Sequence, residues 1–519
     1  MQNPGRATVD SELLREFETR IWAKVPHLEG GKVVGASQML DLTQVLREGA
    51  KAVFGLDLPG GDLHVLGKLE ANLPGGSVKM RPAAEIMRSA IASGRLTRNT
   101  LVFEATSGNF GIALGQVAKL GVNVIVLVSR KLQGGVLEEL ERSGVKTVDL
   151  DVDICPAPGV QTDPNLLVAR IVASNMRERF SQLGLDLKPF DASRSVIEEL
   201  LARQDVINLA KALAEAYGGF CPAQYENELN VLVHETVTGP EIESQLQAVG
   251  RSIGEFNVVC AFGTGGTSAG LSRFIKEKYG KKPVHVVFPM EGQDVAGIRT
   301  RNKAIGLPFY LPAAYAGQHD VDAEPARKLL VYLARKGFDI GESSGLALYA
   351  VMQMFNYGVS ENFVVILADG MEKYRALLQK NDEESLEGKL EVTADQARNH
   401  LEEYDAVVWT HPGYVPNAQG MELITQALTG GKGGATLEVA SPAEVAQTVV
   451  ARQIPPGLKK VVGNRAGRVL LVCMSGNTSL KVAQVLSDKG VKAQSLKGGI
   501  SGLARADGKS VEALIRLAG

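Results

Sequence analysis

Short apolar runs alternate with helical periods from about residue 63 onward, and this alternation limits the folds open to the chain. The run at Leu101–Phe103 precedes a helical pattern, which precedes the run at Val122–Val128. The same order recurs around Phe256–Phe262, Val284–Phe288 and Phe363–Leu367. Continuous runs rich in β-branched residues, separated by helices, predict parallel strands that are buried on both faces. We therefore expect an α/β fold.

The composition excludes several classes of protein. The chain has 519 residues, of which 45% are hydrophobic and 22% charged, so roughly two to four globular domains are expected. A net charge of −2 gives no basic field for nucleic acid or anionic lipid. Four cysteines are too few for a disulfide framework and suit a reducing compartment. Because neither a signal peptide nor a membrane-length apolar run is recognisable, we expect a cytoplasmic protein.

A change of composition near residue 380 divides the chain. The stretch QKNDEESLEGK at Gln379–Lys389 is charged and almost without apolar residues, as is typical of a linker. Helical periodicity before the main unit predicts helices at Ser11–Trp22 and Met39–Phe54. The predicted domains are an N-terminal helical extension packing on the core (1–60), a main α/β unit (61–378), a linker (379–390) and a smaller α/β unit (391–519).

Lys79 is the first candidate functional residue. It lies in the sequence Ser77-Val78-Lys79-Met80, just after a glycine turn and at the start of a predicted helix. Burial in an apolar frame disfavours the ammonium form and lowers the pKa of a lysine, which Schiff-base chemistry requires. Lys79 is therefore a candidate amine nucleophile, and a surface lysine at a helix start is the alternative.

Two loops between a strand and a helix could bind anions. Thr106–Gly111 precedes a helix whose free N–H groups and dipole suit a carboxylate or a phosphate. In Gly263–Gly270, glycines let the backbone approach an anion, and threonine hydroxyls add donors. This second loop is not a dinucleotide fingerprint, because Ser268 stands where glycine is required. We interpret it as a phosphate cradle; an N-cap in the first loop and a plain turn in the second are the alternatives.

Together and in this order, the segments resemble the cysteine synthase (O-acetylserine sulfhydrylase) branch of the fold-type II, tryptophan synthase β-like pyridoxal-phosphate enzymes. The matching segments span residues 63–374 and are GKLEANLPGGSVKMR, EATSGNFGIALGQVAKLG, QYEN…N…HETVTGPEI, FGTGGTSAGLSRFIK, GESSGLAL and VVILADGMEKY. The resemblance implies two three-layer α/β lobes with parallel-type sheets and pyridoxal 5'-phosphate as cofactor. It also implies an amino-acid substrate, a sulfur donor or acceptor, and a homodimer.

The resemblance also implies residue roles. Lys79 would bind the cofactor as a Schiff base and later move the α-proton, while Asn109 would bond the ring oxygen. The phosphate would be held by Gly263, Thr264, Gly265, Gly266 and Thr267. The substrate carboxylate would be bound by Thr106, Ser107, Gly108 and Gln224.

Several positions depart from the family pattern. Where the family usually has serine or threonine opposite the pyridine nitrogen, this chain has Asp369. A carboxylate there would keep the pyridinium protonated and stabilise a carbanion better than a hydroxyl would, although Asp369 could equally be a turn residue displaced by one position. Phe110 replaces the usual threonine, and the early G-N-T-P motif reads Gly35-Ala36-Ser37-Gln38. These departures leave the substrate open.

The C-terminal unit contains a cysteine in a loop between a strand and a helix. Backbone N–H groups and a helix dipole around Cys473 would stabilise a persulfide. Residues 465–505 resemble the second half of a rhodanese domain, which implies a small rhodanese-like α/β domain. The usual loop arginine is Thr478, and the first-half motif is replaced by Trp409-Thr410-His411. The unit is therefore either a sulfur carrier or a degenerate fold used for docking or dimerisation.

Three functions are compatible with these residues. The leading hypothesis is pyridoxal-phosphate-dependent β-replacement on an activated serine by a sulfur nucleophile, with Lys79 and Cys473 as the catalytic residues. The second is β-elimination, in which a desulfhydrase-type lyase passes sulfur from cysteine to Cys473. The third is a non-catalytic sensor of an amino acid, which would need neither an aldehyde-binding lysine nor proton transfer. No Cys/His cluster has the spacing of a metal site.

Overall fold

The computed structural model describes most of the chain. The described residues are 9–58, 63–106, 108–128, 134–150, 166–374, 390–411, 415–416, 418–429, 437–451, 453–462 and 468–506. Ser107 and residues 379–389 of the predicted linker lie outside these ranges.

Sixteen strands are formed by the described residues. They are β1 (His27–Glu29), β2 (Lys32–Val34), β3 (Gln38–Asp41), β4 (His64–Leu69), β5 (Leu101–Thr106), β6 (Asn123–Val128), β7 (Lys146–Asp149), β8 (Asn257–Ala261), β9 (Val284–Pro289), β10 (Gly317–Val321), β11 (Asn362–Leu367), β12 (Glu391–Val392), β13 (Tyr404–Trp409), β14 (Leu437–Val439), β15 (Arg468–Val472) and β16 (Ala493–Leu496).

The α-helices in the same ranges alternate with these strands over much of the chain. They are α1 (Ser11–Arg20), α2 (Thr43–Phe54), α3 (Met80–Ala92), α4 (Asn109–Ala118), α5 (Gly134–Ser143), α6 (Leu166–Gln182), α7 (Lys188–Ala192), α8 (Arg194–Ala202), α9 (Val206–Ala216), α10 (Leu229–Val233), α11 (Gly239–Gln247), α12 (Gly266–Tyr279), α13 (Arg301–Ala304), α14 (Ala323–Arg335), α15 (Glu342–Asn356), α16 (Ala394–Asn399), α17 (Ala418–Thr429), α18 (Pro442–Ala451), α19 (Pro456–Val462), α20 (Asn477–Asp488) and α21 (Gly499–Ala506).

The larger lobe is built on a six-stranded sheet with the strand order β10-β9-β8-β11-β4-β3. All neighbours are parallel except β3, which runs antiparallel to β4 at the edge. In β11, Val364 and Ile366 join the core on one face of the sheet, and Phe363 and Val365 join the core on the other. A strand covered on both faces needs an uninterrupted apolar run, so the predicted parallel sheet is confirmed.

The smaller lobe is built on the parallel sheet β5-β6-β7. In β6, Val124 and Val126 face the core shared with the larger lobe, and Ile125 and Leu127 face a separate core under α6 and α9. The loops that follow β5 and β8 lead into α4 and α12. Because these loops follow the carboxyl ends of parallel strands, they lie where α/β folds build their binding sites.

One helix of the N-terminal extension begins later than predicted. Residues Gln38–Asp41 form β3, and α2 begins at Thr43 rather than at Met39. Gln38 pairs with Leu69, and Asp41 pairs with Leu66. The free edge of β4 offers backbone hydrogen bonds that local periodicity does not reveal, and the segment satisfies that edge instead of extending the helix.

The C-terminal unit has a five-stranded parallel sheet with the order β12-β16-β15-β13-β14. Along β15, Val469 and Leu471 pack into the core on one face of the sheet, and Leu470 and Val472 pack into the core on the other. The unit is thus a three-layer α/β structure, and its rhodanese-like character stays a prediction. Ala446 of α18 also packs into the apolar core beneath α6 of the smaller lobe.

No helix within the described ranges is long and apolar enough to span a lipid bilayer. Over the same residues, His, Cys, Asp and Glu side chains form no group of three or more that could hold a metal ion.

Candidate active site

A cleft between the two lobes brings together most of the predicted site residues. It encloses roughly 680 Å³ of space, a figure that includes open solvent. Predicted residues that line it are Lys79, Thr106, Asn109, Gln224, Gly263, Thr264, Gly265 and Thr267. The described lining residues include no carboxylate, so the cleft suits an anionic ligand.

Lys79 is held at the cleft by the turn before α3. The N–H of Val78 donates to the carbonyl of Ala368, just after β11. The backbones of Ser77 and Asp369 form an isolated antiparallel β-bridge. The Nζ atom of Lys79 lies 3.5 Å from Thr264 Oγ1 and forms no ion pair among the described residues. Burial lowers the pKa of Lys79 to about 8, and the positive charge of Arg299 adds to this effect. A larger fraction of this amine than of an ordinary lysine is therefore neutral near pH 7, as a nucleophilic amine requires.

The loop after β8 presents an uncapped helix end to the cleft. Gly265 has a φ of +88°, and α12 begins at Gly266 without a side-chain cap. A Cβ atom at Gly265 would lie 2.6 Å from the carbonyl oxygen of Phe309, so a larger residue would not fit. The Gly266 N–H donates to Thr264 Oγ1 (3.3 Å). The remaining N–H groups of the first helical turn and the hydroxyl proton of Thr264 then form a cradle for an anion.

The loop after β5 is shaped by Thr106. Its Oγ1 accepts hydrogen bonds from the N–H groups of Gly108 (3.1 Å) and Gly111 (3.2 Å). Gly108 has a φ of +129°, and a Cβ atom there would lie 2.3 Å from Val136 Cγ1. Thr106 therefore fixes the loop through its oxygen, while its hydroxyl proton is still available to a ligand.

Gln224 and Asn230 tie the two anion loops together. The Nε2 atom of Gln224 donates to the carbonyl of Ala105 (3.1 Å). Asn230 Nδ2 donates to the Gln224 carbonyl (2.7 Å) and to Thr264 Oγ1 (3.0 Å). Asn230 was part of the quoted sequence pattern but received no role, because its link to Thr264 spans 34 residues.

Asn109 and Asp369 contact each other. Asn109 Nδ2 donates to Asp369 Oδ2 (2.8 Å), which also accepts from the Tyr374 hydroxyl (2.8 Å). Asp369 is 1% exposed, and its carboxylate does not line the cleft. Its Oδ1 atom has no hydrogen-bond partner among the described residues. The pairing of Asp369 with a ring nitrogen stays a prediction, and Oδ1 is the free acceptor that such a pairing would use.

Three further polar residues were missed by sequence reasoning as parts of this site. Arg299 lies next to the cleft wall, with its guanidinium 4.9 Å from the centre of the Tyr225 ring. His234 Nε2 is 3.2 Å from Thr267 Oγ1 and fixes that hydroxyl. Lys373 contacts Asn109. No local motif marks these residues, because each meets the site through a contact between distant segments.

The site fits pyridoxal phosphate on two observations. The uncapped start of α12 supplies donors for a phosphate, and Arg299 supplies positive charge beside Lys79. Several buried polar atoms beside the cleft have no partner among the described residues: Ser77 Oγ, Asn230 Oδ1, Ser344 Oγ and Asp369 Oδ1. Buried polar groups are rarely left unpaired in native proteins, so their clustering here indicates a polar ligand.

Comparison with known proteins agrees with this geometry. The family model described as pyridoxal-phosphate dependent enzyme matches residues 55–369, which is more than half of the chain. The chain belongs to this family. It is therefore a pyridoxal-phosphate-dependent enzyme, and the predicted cofactor is confirmed.

Relatives within the pyridoxal-phosphate family include cysteine synthases. The chain is 26% identical over 353 residues to cysteine synthase of Staphylococcus aureus, covering 66% of this chain and 94% of the relative. It is 29% identical over 313 residues to cysteine synthase B of Salmonella typhimurium, covering 59% and 85%. A crystal structure of a hydrogen sulfide-producing enzyme aligns with a TM-score of 0.50 and 20% identity over 72% of this chain and 94% of that chain. This last likeness concerns the fold alone.

Cys473 lies apart from the cleft residues, in the C-terminal unit. It is 1% exposed, and its Sγ atom accepts from the Ser479 N–H (3.4 Å) and the Ser479 hydroxyl (3.3 Å). Gly476 precedes α20 with a φ of +87°. The loop thus directs hydrogen-bond donors at the sulfur, while the thiol itself is covered in this conformation.

Proposed function

We propose that the protein catalyses β-replacement on an activated serine, with a sulfur nucleophile entering at Cβ. The observation that carries this proposal is Lys79, a lysine with a lowered pKa and no acidic partner among the described residues, facing an anion cradle. When bound, pyridoxal phosphate supplies an electron sink that makes the α-proton of an amino acid acidic. The relatives named cysteine synthase support this reaction class.

Each residue of the cleft has a proposed task. The neutral amine of Lys79 binds the cofactor aldehyde and later accepts the α-proton of the substrate. The cofactor phosphate is assigned to the loop of Gly263, Thr264, Gly265, Gly266 and Thr267, and the ring oxygen to Asn109. The substrate carboxylate is assigned to Thr106, Ser107, Gly108 and Gln224.

β-Elimination is the second candidate, and Phe110 is the observation that favours it. Phe110 lines the cleft where the resembling family usually has threonine. An aromatic wall leaves less room and fewer polar partners for an incoming nucleophile, so release of the product as pyruvate and ammonia becomes competitive.

A substrate panel tests the proposal. The cofactor-loaded protein is mixed with O-acetylserine or cysteine, with and without sulfide or thiosulfate, and amino-acid product and pyruvate are both quantified. Replacement predicts a sulfur-containing amino acid that depends on the added nucleophile, whereas elimination predicts pyruvate without it. A protein that binds the cofactor and yields neither product with any substrate would support the non-catalytic sensor.

The C-terminal unit is proposed to be a rhodanese-like sulfur carrier occupying residues 391–519, after the main unit (61–378) and the linker (379–390). The parallel sheet covered by helices on both faces supports this assignment, as does the loop of Cys473. The Cys473 thiolate would attack the sulfane sulfur of a donor such as thiosulfate, forming a persulfide as sulfite leaves. A homodimer also stays a prediction, to be tested by sedimentation of the cofactor-loaded protein.

A further inference from the structure

A buried polar cluster joins the two lobes directly behind the cleft. Its members are Asn109, at the start of α4, and Asp369, Lys373 and Tyr374, which follow β11. Lys373 Nζ lies 3.2 Å from Asp369 Oδ2 and donates to Asn109 Oδ1. The backbone around Lys373 also contacts the smaller lobe, since a Cβ atom at Gly135 of α5 would lie 2.5 Å from the Lys373 carbonyl oxygen.

The cluster is closed to solvent and its charges are balanced. Asp369 is 1% exposed and Lys373 is 7% exposed. The Tyr374 hydroxyl donates to Asp369, and burial together with that carboxylate raises the pKa of Tyr374, so the hydroxyl keeps its proton. Desolvation offsets much of the attraction in a buried ion pair, so the pair is by itself weak evidence of a stabilising role. Its contact with Asn109, which lines the cleft, points to a role at the site.

The two charged residues distinguish the two ends of the Asn109 amide. Of the two ends of the amide, the Asp369 carboxylate can accept only from the nitrogen end, and the Lys373 ammonium can donate only to the oxygen end. The amide nitrogen of Asn109 is thereby directed to Asp369, and the amide oxygen is directed to Lys373. One N–H of the amide is used by Asp369, and the second is left for the cleft that Asn109 lines.

We propose that Lys373 is a positioning residue, which together with Asp369 orients the Asn109 amide so that its second N–H faces the bound cofactor. The inference rests on the proposed contact between Asn109 and the cofactor ring oxygen. In this role Lys373 contacts neither the cofactor nor the substrate. It acts by preventing the amide from turning over or moving away from the cleft.

Three single variants test this role through cofactor binding rather than activity. Lys373→Met leaves the amide oxygen without its charged donor and should weaken the dissociation constant for pyridoxal phosphate by roughly ten-fold or more. Asn109→Ala should weaken it at least as much, and both variants should alter the visible absorption band. The matched control Lys278→Met breaks the pair between the exposed Lys278 and the buried carboxylate of Glu243 in the larger lobe and should leave both readouts unchanged.

A double variant separates orientation from stability. Lys373→Met strands a buried carboxylate and is expected to lower the unfolding temperature, whereas Asp369→Asn combined with Lys373→Met removes both charges and should restore much of it. The double variant should still bind the cofactor about ten-fold more weakly than Asp369→Asn alone, because both variants lose any pairing of Asp369 with the ring nitrogen and only the double variant lacks the charged donor to the amide oxygen.

The outcomes distinguish this inference from the proposed function. If the double variant matches Asp369→Asn in cofactor affinity and absorbance, the cluster is only structural and the inference fails. If Asn109→Ala weakens binding and Lys373→Met does not, the inference fails while the role of Asn109 stands. If Asn109→Ala binds the cofactor as tightly as wild type does, both the inference about Lys373 and the proposed contact of Asn109 with the ring oxygen fail.

Discussion

Lys79 and Lys68 are both buried, but the regions around them differ: one lysine is paired with a carboxylate and the other is not. Lys68 belongs to a group we call the buried charge cluster, defined as Lys68, Glu70, Arg81 and Glu241. Lys68 pairs with Glu241 and also donates to the Ser37 carbonyl (2.8 Å). Lys79 faces the cleft, where its nearest hydrogen-bond acceptor is a threonine hydroxyl at 3.5 Å.

The difference shows that the partner, rather than burial, separates a reactive lysine from a structural one. Burial lowers the pKa of both lysines. For Lys68 the carboxylates of Glu241 and Glu70 oppose this effect, whereas for Lys79 the guanidinium of Arg299 reinforces it. The ammonium of Lys68 is therefore held by its cluster, and the amine of Lys79 is free to react with an aldehyde.

Replacing Lys79 should have the largest effect. Lys79→Ala removes both the covalent attachment of the cofactor and the proposed base, so activity should fall by more than about a thousand-fold, and the visible absorbance that borohydride bleaches should vanish. Spectra and initial rates check this. The exposed Lys119→Ala is the control, and retention of the bleachable absorbance by Lys79→Ala would contradict the assignment.

Breaking the buried charge cluster should affect stability before chemistry. Glu241→Gln leaves Lys68 and Arg81 without their shared carboxylate and should lower the free energy of unfolding by about 3 to 5 kcal/mol. Urea unfolding of the cofactor-free protein measures it. The structural role assigned to the buried charge cluster is contradicted if Glu241→Gln is as stable as wild type. It is also contradicted if Glu241→Gln loses no more free energy of unfolding than Arg251→Ala, the control that breaks the pair of Arg251 with Glu255.

Arg299→Met should shift the pH dependence of cofactor capture. Arg299 lowers the pKa of Lys79 to about 8 together with burial, so its removal raises that pKa and reduces the neutral amine at a given pH. The pH midpoint for the rate of absorbance gain on adding pyridoxal phosphate should therefore move upward by roughly 0.5 to 1 pH unit. Arg301→Met is the matched control, since Arg301 is paired with Asp320; an unmoved or lower midpoint for Arg299→Met counts against the contribution of Arg299.

Cys473→Ser should change the cleft least. Cofactor uptake and the pH midpoint should equal those of wild type, because Cys473 follows β15 of the C-terminal unit and does not line the cleft. Only a rate that depends on sulfur transfer, measured with thiosulfate as donor, should fall. Cys221→Ser is the control, because Cys260 lines the cleft and its replacement could disturb the site. If wild type and Cys473→Ser have equal rates with thiosulfate, the C-terminal unit has only a structural role.

Local patterns were sufficient for much of the fold and for part of the site. The apolar runs became β5, β6, β8, β9 and β11, because a strand covered on both faces needs continuous apolar residues. Glycines at 108 and 265 marked the turns into α4 and α12. The expected helix start at Met39 was wrong, since the edge of β4 paired with that segment.

What the amino-acid order established about this protein is a set of short-range facts: parallel strands, glycine loops at helix starts, and a lysine before α3. Folding established the partners: Arg299 beside Lys79, Asn230 between two loops, and Lys373 against Asn109. Charge and hydrogen-bond interactions depend on distances of a few ångströms between segments that are far apart in the chain, and periodicity carries no information about those distances.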